Sequence, residues 1–397
     1  MKRGFLGGTF NPPHLGHLRA AAAAAKQLGL EKLYLIPTGE PPHKQLPPDA
    51  PTAVQRLELT RLATLAVPSE GPAIPSAETL DWEIRRDGPS YTAVTAQALL
   101  REDPEGELWL LCGSDMFLSL SEWYRADWLL RSVHVAAYPR KEGEQPLLAA
   151  CAERYRRDYG TEVYLVDVPP VEVSSTLLRE LLAEGRGGTW IPAPVYAYIL
   201  KNRLYAVRPE PEALWPLAEP WLKPSRVPHV LGCRAEAVKL ARRWGADPLD
   251  AENAAILHDI TKNMPLKEQL LLCEKCGIIP ANFEQAYESV LHAFSGAAAA
   301  WLEFGVSPQV RDAIQWHTTG RADMSVLEKV VWLADYIEPT RQSPELESIR
   351  RLAYQDLDAA MVRAMTRSLL YMQQRGLKPY PATEAALRFI RGEETGK

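Results

Sequence analysis

Short apolar runs alternate with longer amphipathic stretches along the first half of the chain. Gly4-Phe5-Leu6, Lys32–Pro37, Glu107–Cys112, Val133–Tyr138 and Glu162–Asp167 read as buried strands. Between them, residues 18–28 (rich in Ala), 54–67, 91–102, 115–123, 147–159 and 175–184 carry the helical period. Strand and helix in alternation predict a parallel sheet with helices on both faces. Ligands of such sheets bind beyond the carboxyl ends of the strands, so the loops leaving each strand are where chemistry is sought.

The pattern changes after residue 208. Six prolines lie between 209 and 228, a density that reads as a semi-rigid joint. Beyond it the strand signal stops. Helical stretches follow at 230–244, 249–260, 266–276, 284–304, 307–317, 325–337 and 357–375, which predicts an all-α domain. The expected division is a first domain over 1–206, the joint and the start of the second domain over 207–228, and the second domain proper over 229–397.

Length and composition agree with two globular domains: 397 residues, 46% apolar, 24% charged. A net charge of −5 gives no basic signature, so nucleic acid is not an expected partner. The run Ala20 to Ala25 ends at Lys26, too short to span a membrane. Met1-Lys2-Arg3 lacks the apolar stretch of a signal peptide behind it. Five scattered cysteines argue for reduced thiols and a cytoplasmic protein. Cys273-Glu-Lys-Cys276 has no second pair to complete a zinc site and reads as accidental spacing. A homo-oligomer is left open.

The loop after the first strand changes the picture most. Gly7-Gly8-Thr9-Phe10-Asn11-Pro12-Pro13-His14-Leu15-Gly16-His17 runs from strand through a Gly-rich turn into a helix. Gly7 and Gly8 let backbone N–H groups approach a phosphate, and the helix points its positive end at the same place. Gly16 would let the chain pack beside a nucleotide. His14 and His17 lie one turn apart, where two imidazoles can donate hydrogen bonds to phosphate oxygens. Nucleotidyl transfer asks for positioning and charge stabilisation of this kind.

The string resembles the T/H-x-G-H signature of the nucleotidyltransferase superfamily, in the form found in the bacterial nicotinate mononucleotide adenylyltransferase family. That resemblance implies a Rossmann-like α/β domain that binds ATP, nicotinate mononucleotide and Mg2+. It implies ATP contacts from Gly7, Gly8, Thr9, Phe10 and His17, from Gly113 and Asp115 after the third of these strands, and from Ser174, Ser175, Thr176 and Arg179 in a segment like the family's S-S-T-x-x-R. Either serine can cap the helix there, and Arg179 follows one turn on to clamp phosphate. Lys44, in Pro37-Thr-Gly-Glu-Pro-Pro-His-Lys44, matches the family's P-x-G-x-P-P-H-K and could reach a triphosphate. Asn11, Lys44, Tyr91, Thr92, Trp123 and Tyr124 are implied on the nicotinate ribotide side. Trp123 reads equally as a stacking platform or a core residue. Asn11 stands where many relatives carry Asp, so a metal or ribose role there is weakened. His14, His17, Lys44 and Arg179 are the expected catalytic residues.

Four of the eight histidines lie in the second half: His229, His258, His292 and His317. With Asp259 and Asp335 they supply six N and O donors, and no cysteine enters the set. Such a mixture suits iron, manganese or another transition metal better than structural zinc. Six ligands suggest two metals bridged by a carboxylate such as Asp259, an arrangement that generates hydroxide near neutral pH and stabilises phosphoryl charge. The order resembles the HD superfamily of phosphohydrolases. His258-Asp-Ile-Thr-Lys262, Trp316-His-Thr-Thr-Gly320 and Ala334-Asp-Tyr-Ile-Glu-Pro-Thr-Arg341 are closest to a bacterial subfamily that splits diadenosine tetraphosphate into two ADP. The resemblance implies phosphate contacts from Lys262, with a catalytic role, and from Arg341. His292-Ala-Phe-Ser-Gly296 lacks the Gly-Pro often found after this His, and Cys233 replaces a usual Val, changes expected to touch loop shape and packing more than ligands. The sequence thus points to a bifunctional enzyme. Its rivals are another acceptor such as phosphopantetheine in the first domain, and in the second a guanosine tetraphosphate or deoxynucleotide hydrolase or a non-catalytic nucleotide sensor.

Overall fold

The computed structural model describes residues 1–42, 45–66, 77–278 and 287–393. The chain divides into two compact units, Met1–Ala183 with Thr189–Ile199, and Glu184–Gly188 with Leu200–Lys397.

The first unit holds six strands: β1 Lys2–Gly8, β2 Lys32–Pro37, β3 Ala77–Thr79, β4 Glu107–Gly113, β5 His134–Tyr138 and β6 Val163–Leu165. Its helices are α1 Leu15–Leu28, α2 Ala53–Thr64, α3 Trp82–Arg85, α4 Thr92–Glu102, α5 Ser114–Leu118, α6 Ala126–Ser132, α7 Gln145–Tyr159, α8 Ser175–Ala183 and α9 Ala193–Lys201. The sheet order is β3-β2-β1-β4-β5-β6, and every pairing is parallel. The order reverses between β1 and β4, which makes the loops leaving those two strands the rim of the crevice where ligands bind in such sheets. Phe5, Leu33, Leu35, Ile36, Leu110 and Val135 are all but fully buried in the sheet. On α1, Ala21, Ala24 and Ala25 are completely covered, since small side chains let the helix lie close to the strands.

The second unit is helical: α10 Pro211–Ala218, α11 Val227–Trp244, α12 Pro248–Leu257, α13 Leu266–Lys275, α14 Glu288–Glu303, α15 Pro308–Gln315, α16 Val326–Ile337, α17 Pro344–Ala353, α18 Leu357–Gln374 and α19 Pro381–Ile390. Helix α11 packs on α12 and α16, and α14 on α13 and α15. Leu240, Leu257, Leu291, Ala297, Val330 and Leu333 are fully buried between them.

The fold class agrees with the sequence reading, and several elements do not. Strand β3 and helices α3, α6, α17 and α19 were not expected. The proline-rich stretch is not a structureless joint: it forms α10 and two 3-10 turns, Glu219–Trp221 and Pro224–Arg226, within the second unit. Pro211 and Pro228 occupy the first turns of α10 and α11, where a missing N–H costs nothing and the fixed φ favours helix. Helix α12 stops at Leu257, three residues before the expected end, so His258 and Asp259 lie on a turn rather than inside a helix. No helix among the described residues is long and apolar enough to cross a membrane.

Candidate functional site

The loop leaving β1 is stitched by its own histidines. His14 is the N-cap of α1, and its Nδ1 accepts from the Gly16 N–H at 3.2 Å. His17 reaches back, its Nδ1 accepting from the His14 N–H at 3.3 Å. The pair forms a capping box in which imidazoles replace the usual Ser and Glu. The rings lie 3.8 Å apart, and Phe10 meets His17 edge-on at 5.3 Å. Burial, with help from the Arg140 guanidinium, pushes the His14 pKa down to about 3. Burial lowers His17 too, with His14 and Arg140 adding to it. Both rings are therefore neutral near pH 7. A neutral imidazole that accepts at Nδ1 carries its hydrogen on Nε2, so each ring is left as a single hydrogen-bond donor. The His14 Nε2 is buried without a hydrogen-bond partner among the described residues.

The glycines sort by cause. A Cβ on Gly7 would meet nothing, so that stretch of backbone stands open. A Cβ on Gly16 would lie 2.9 Å from the His14 ring. Glycine at 16 thus has an internal cause, the seating of the capping imidazole.

The segment after β6 closes on the same loop. Ser174 Oγ accepts from the Leu177 N–H at 3.1 Å and caps α8, while Ser175 Oγ donates to the Pro12 carbonyl at 2.8 Å. Arg179 donates to the Asn11 carbonyl at 2.8 Å and to Thr176 Oγ1 at 3.2 Å. After β4, Asp115 pairs with Arg140 at 2.7 Å beside Gly113. Tyr91, just ahead of Thr92 at the start of α4, stacks on the exposed Tyr124 at 4.4 Å, whereas Trp123 packs against the core. Lys44 lies outside the described residues.

In the second unit all six expected donors converge. His229 Nε2 lies 3.1 Å from Asp335 Oδ1 and 3.2 Å from His258 Nε2. Asp259 is the hinge of the arrangement. Its Oδ2 faces His258 at 3.3 Å and His229 at 3.7 Å, and its Oδ1 faces His292 at 3.2 Å and His317 at 3.7 Å. Each carboxylate oxygen thus addresses a different histidine pair. The turn after α12 makes this reach feasible, because consecutive residues His258 and Asp259 both point inward.

The other ring nitrogens set the tautomers. His258, His292 and His317 place Nδ1 at 2.7, 2.9 and 2.7 Å from the carbonyls of Ala255, Ser289 and Ile314, and His229 places Nδ1 at 3.1 Å from Glu338 Oε1. An Nδ1 that donates leaves Nε2 as a bare lone pair. The short approach of the His229 and His258 Nε2 atoms then has no hydrogen to share, and two facing lone pairs call for a cation between them. His317 Nε2 is likewise buried without a hydrogen-bond partner among the described residues. These residues fit a divalent metal pair. Burial raises the Asp259 carboxyl, but the imidazoles around it, His258 first and then His292 and His317, outweigh burial and hold the group well below the usual carboxylate range. Lys262 lies 3.3 Å from Asp259 Oδ1, and Arg341 2.8 Å from Asp335 Oδ1, so both expected phosphate contacts sit at the rim of the donor cluster.

Residues 5–181 match the model of the cytidylyltransferase-like family, and residues 226–340 match that of the HD domain. The "Probable nicotinate-nucleotide adenylyltransferase" of Idiomarina loihiensis is 34% identical over 218 residues, 52% of this chain and 100% of that protein. That of Aeromonas salmonicida is 38% identical over 214 residues, 51% of this chain and 96% of that one. The "Bis(5'-nucleosyl)-tetraphosphatase, symmetrical" of Bacillus subtilis is 37% identical over 158 residues, 39% of this chain and 83% of that protein. The chain belongs to the nicotinate-nucleotide adenylyltransferase family in its first half and to the HD family in its second. It is an enzyme chain on both counts, and an HD domain implies divalent-metal binding.

Four side chains were missed by the sequence reading. Arg56 on α2 donates to the carbonyls of Thr9 at 3.1 Å, Thr38 at 2.5 Å and Gly39 at 2.9 Å, tying the loop after β1 to the loop after β2. Arg140 lines one cleft with His14, His17, Tyr138 and Val171. Arg226, in the turn before α11, pairs with Asp259 Oδ2. Glu338, fully buried, orients His229. A lone Arg in a helix carries no sequence signal of this kind; Glu338 had one, in its place within the Asp335–Arg341 string. The sequence reading also left out Cys233, whose Sγ lies within 4.8 Å of ligand atoms of His229, His258 and Asp335.

Proposed function

We propose that the first unit transfers the adenylyl group of ATP to nicotinate mononucleotide, giving nicotinate adenine dinucleotide and pyrophosphate. The observation that carries the reading is the pair of neutral imidazoles at the N-terminus of α1, at the strand-order reversal, each with one Nε2–H to give. In this reading the phosphate of nicotinate mononucleotide attacks the α-phosphorus of ATP and pyrophosphate leaves in line. His14 and His17 donate to the phosphate oxygens as charge builds, Arg179 and Arg140 supply fixed positive charge, and Lys44 reaches the triphosphate. Mg2+ would screen the triphosphate charge when bound. The test is His17→Ala, assayed for dinucleotide formation with nicotinate mononucleotide, its amide counterpart and phosphopantetheine as acceptors. Loss of about 10²- to 10³-fold in kcat with the fold retained is expected, the scale of one lost oxyanion donor. Unchanged synthesis sinks the assignment, and a preference for phosphopantetheine redirects it.

For the second unit we propose metal-dependent, symmetrical hydrolysis of diadenosine tetraphosphate to two ADP. The split of Asp259 between two histidine pairs supports it, as does the tetraphosphatase relative. His229, His258, Asp259 and Asp335 would hold one metal, and Asp259, His292 and His317 the other, with iron or manganese suited to the donors. When bound, such a pair polarises phosphoryl oxygens and yields a nucleophile from water near neutral pH. Lys262 and Arg341 would hold the polyphosphate chain, and Glu338 keeps His229 in its ligating tautomer. Asp259→Ala is expected to lose both metal and turnover. Retention of either ends this reading; turnover of guanosine tetraphosphate or a deoxynucleotide in preference replaces the substrate. We further infer a cytoplasmic protein from its cysteine usage.

A further inference from the structure

The two halves of the donor cluster are not chemically alike. The half built from Asp259, His292 and His317 offers only nitrogen and oxygen. The other half contains a sulfur. Cys233 follows His229 by four residues on α11, so the two side chains leave the same face one turn apart. Cys233 is 1% exposed, and its Sγ lies 3.5 Å from His229 Nε2. It also falls within the mutual 4.8 Å span shared with His258 and Asp335. It also makes a weak contact with the Ala334 carbonyl at 3.9 Å. Metal–sulfur and metal–nitrogen bonds of about 2.3 and about 2.0–2.1 Å at a tetrahedral angle separate the two donors by about 3.5–3.6 Å. The observed separation matches that value. A second observation points to a ligand at the same position: His229 Nε2 and His258 Nε2, each left as a lone pair by the bond its Nδ1 makes, face one another at 3.2 Å.

We infer that Cys233 is a ligand, and that its thiolate makes the His229/His258/Asp335 position thiophilic while the His292/His317 position stays hard. The centre is then built for two unlike metals: iron or zinc beside sulfur, manganese or iron at the other position. Binding exchanges the S–H bond for a sulfur–metal bond; the proton leaves to solvent and no electron is transferred. The inference rests on the metal-centre reading proposed for this unit.

The experiment is a cobalt(II) titration of the metal-free full-length protein, followed by absorption, beside Cys233→Val and Cys233→Ser. The wild type is expected to develop a near-ultraviolet thiolate-to-cobalt band that saturates at one equivalent, while visible ligand-field bands grow through two. Both variants are expected to keep the ligand-field bands and lose the near-ultraviolet band. Zinc-over-manganese preference should fall by about 10- to 100-fold in Cys233→Val, at least the scale of losing an outer-shell partner. Circular dichroism of the metal-free proteins checks that the variants fold. Two cobalt ions with no thiolate band, or a band that survives both substitutions, overturns the sulfur ligand and leaves the metal centre standing. A protein that takes up no cobalt overturns both.

Discussion

His14 does two jobs with two nitrogens: Nδ1 caps α1, and Nε2 carries the donor hydrogen. Asn at position 14 would keep the cap, because a short side-chain carbonyl accepts from the same turn, but would not place the donor. His14→Asn should therefore melt near the wild-type temperature and lose about 10²- to 10³-fold in kcat for adenylyl transfer. The ring's depressed pKa has a separate consequence. The folded state binds this proton only near pH 3, the unfolded chain near 6.5. Stability is therefore full above pH 6.5 and declines as pH falls toward 3, by about 1.4 kcal/mol per pH unit for each such group. Denaturant titrations between pH 7 and 4 should show that slope, and His14→Asn should lessen it. The spacing His14-x-x-His17 was legible in the sequence; the reason for Gly16 was not, because the ring it accommodates is set by a cap that only the folded turn reveals.

At the scale of elements, α2 matters through Arg56, which spans two loops that carry expected substrate contacts. Lysine cannot make three directed bonds from one planar fork. Arg56→Lys should raise KM for both ATP and the acceptor more than it lowers kcat, and a kinetic split the other way would place Arg56 in the chemistry instead. The long elements were legible from periodicity, since β1, β2, β4 and β5 each contain an uninterrupted apolar stretch behind a polar start. Strand β3 was not: it has three residues, none fully buried, and pairs only with β2. Prolines misled for a simple reason. In the second unit α10, α11, α12, α15, α17 and α19 all carry proline in the first turn. What looked like breakage at 209–228 is the punctuation of short helices in succession.

At the scale of the molecule, each compact unit has its own core and its own donor set. Asp259→Ala should leave adenylyl transfer within about twofold of wild type, and His17→Ala should leave polyphosphate hydrolysis equally untouched; a larger cross-effect in either would mean the two centres communicate. Calorimetry should resolve two transitions, and a chelator should lower only the one belonging to the helical unit. The two centres also sort their imidazoles by what their Nδ1 atoms meet. Where Nδ1 meets backbone N–H, at the start of α1, the far side of the ring attracts anions. Where it meets a carbonyl or carboxylate, in the helical unit, the far side attracts cations. Excess zinc or manganese in the cell should therefore leave the first centre unpoisoned, because its two histidines present hydrogen, not a lone pair, to any arriving ion.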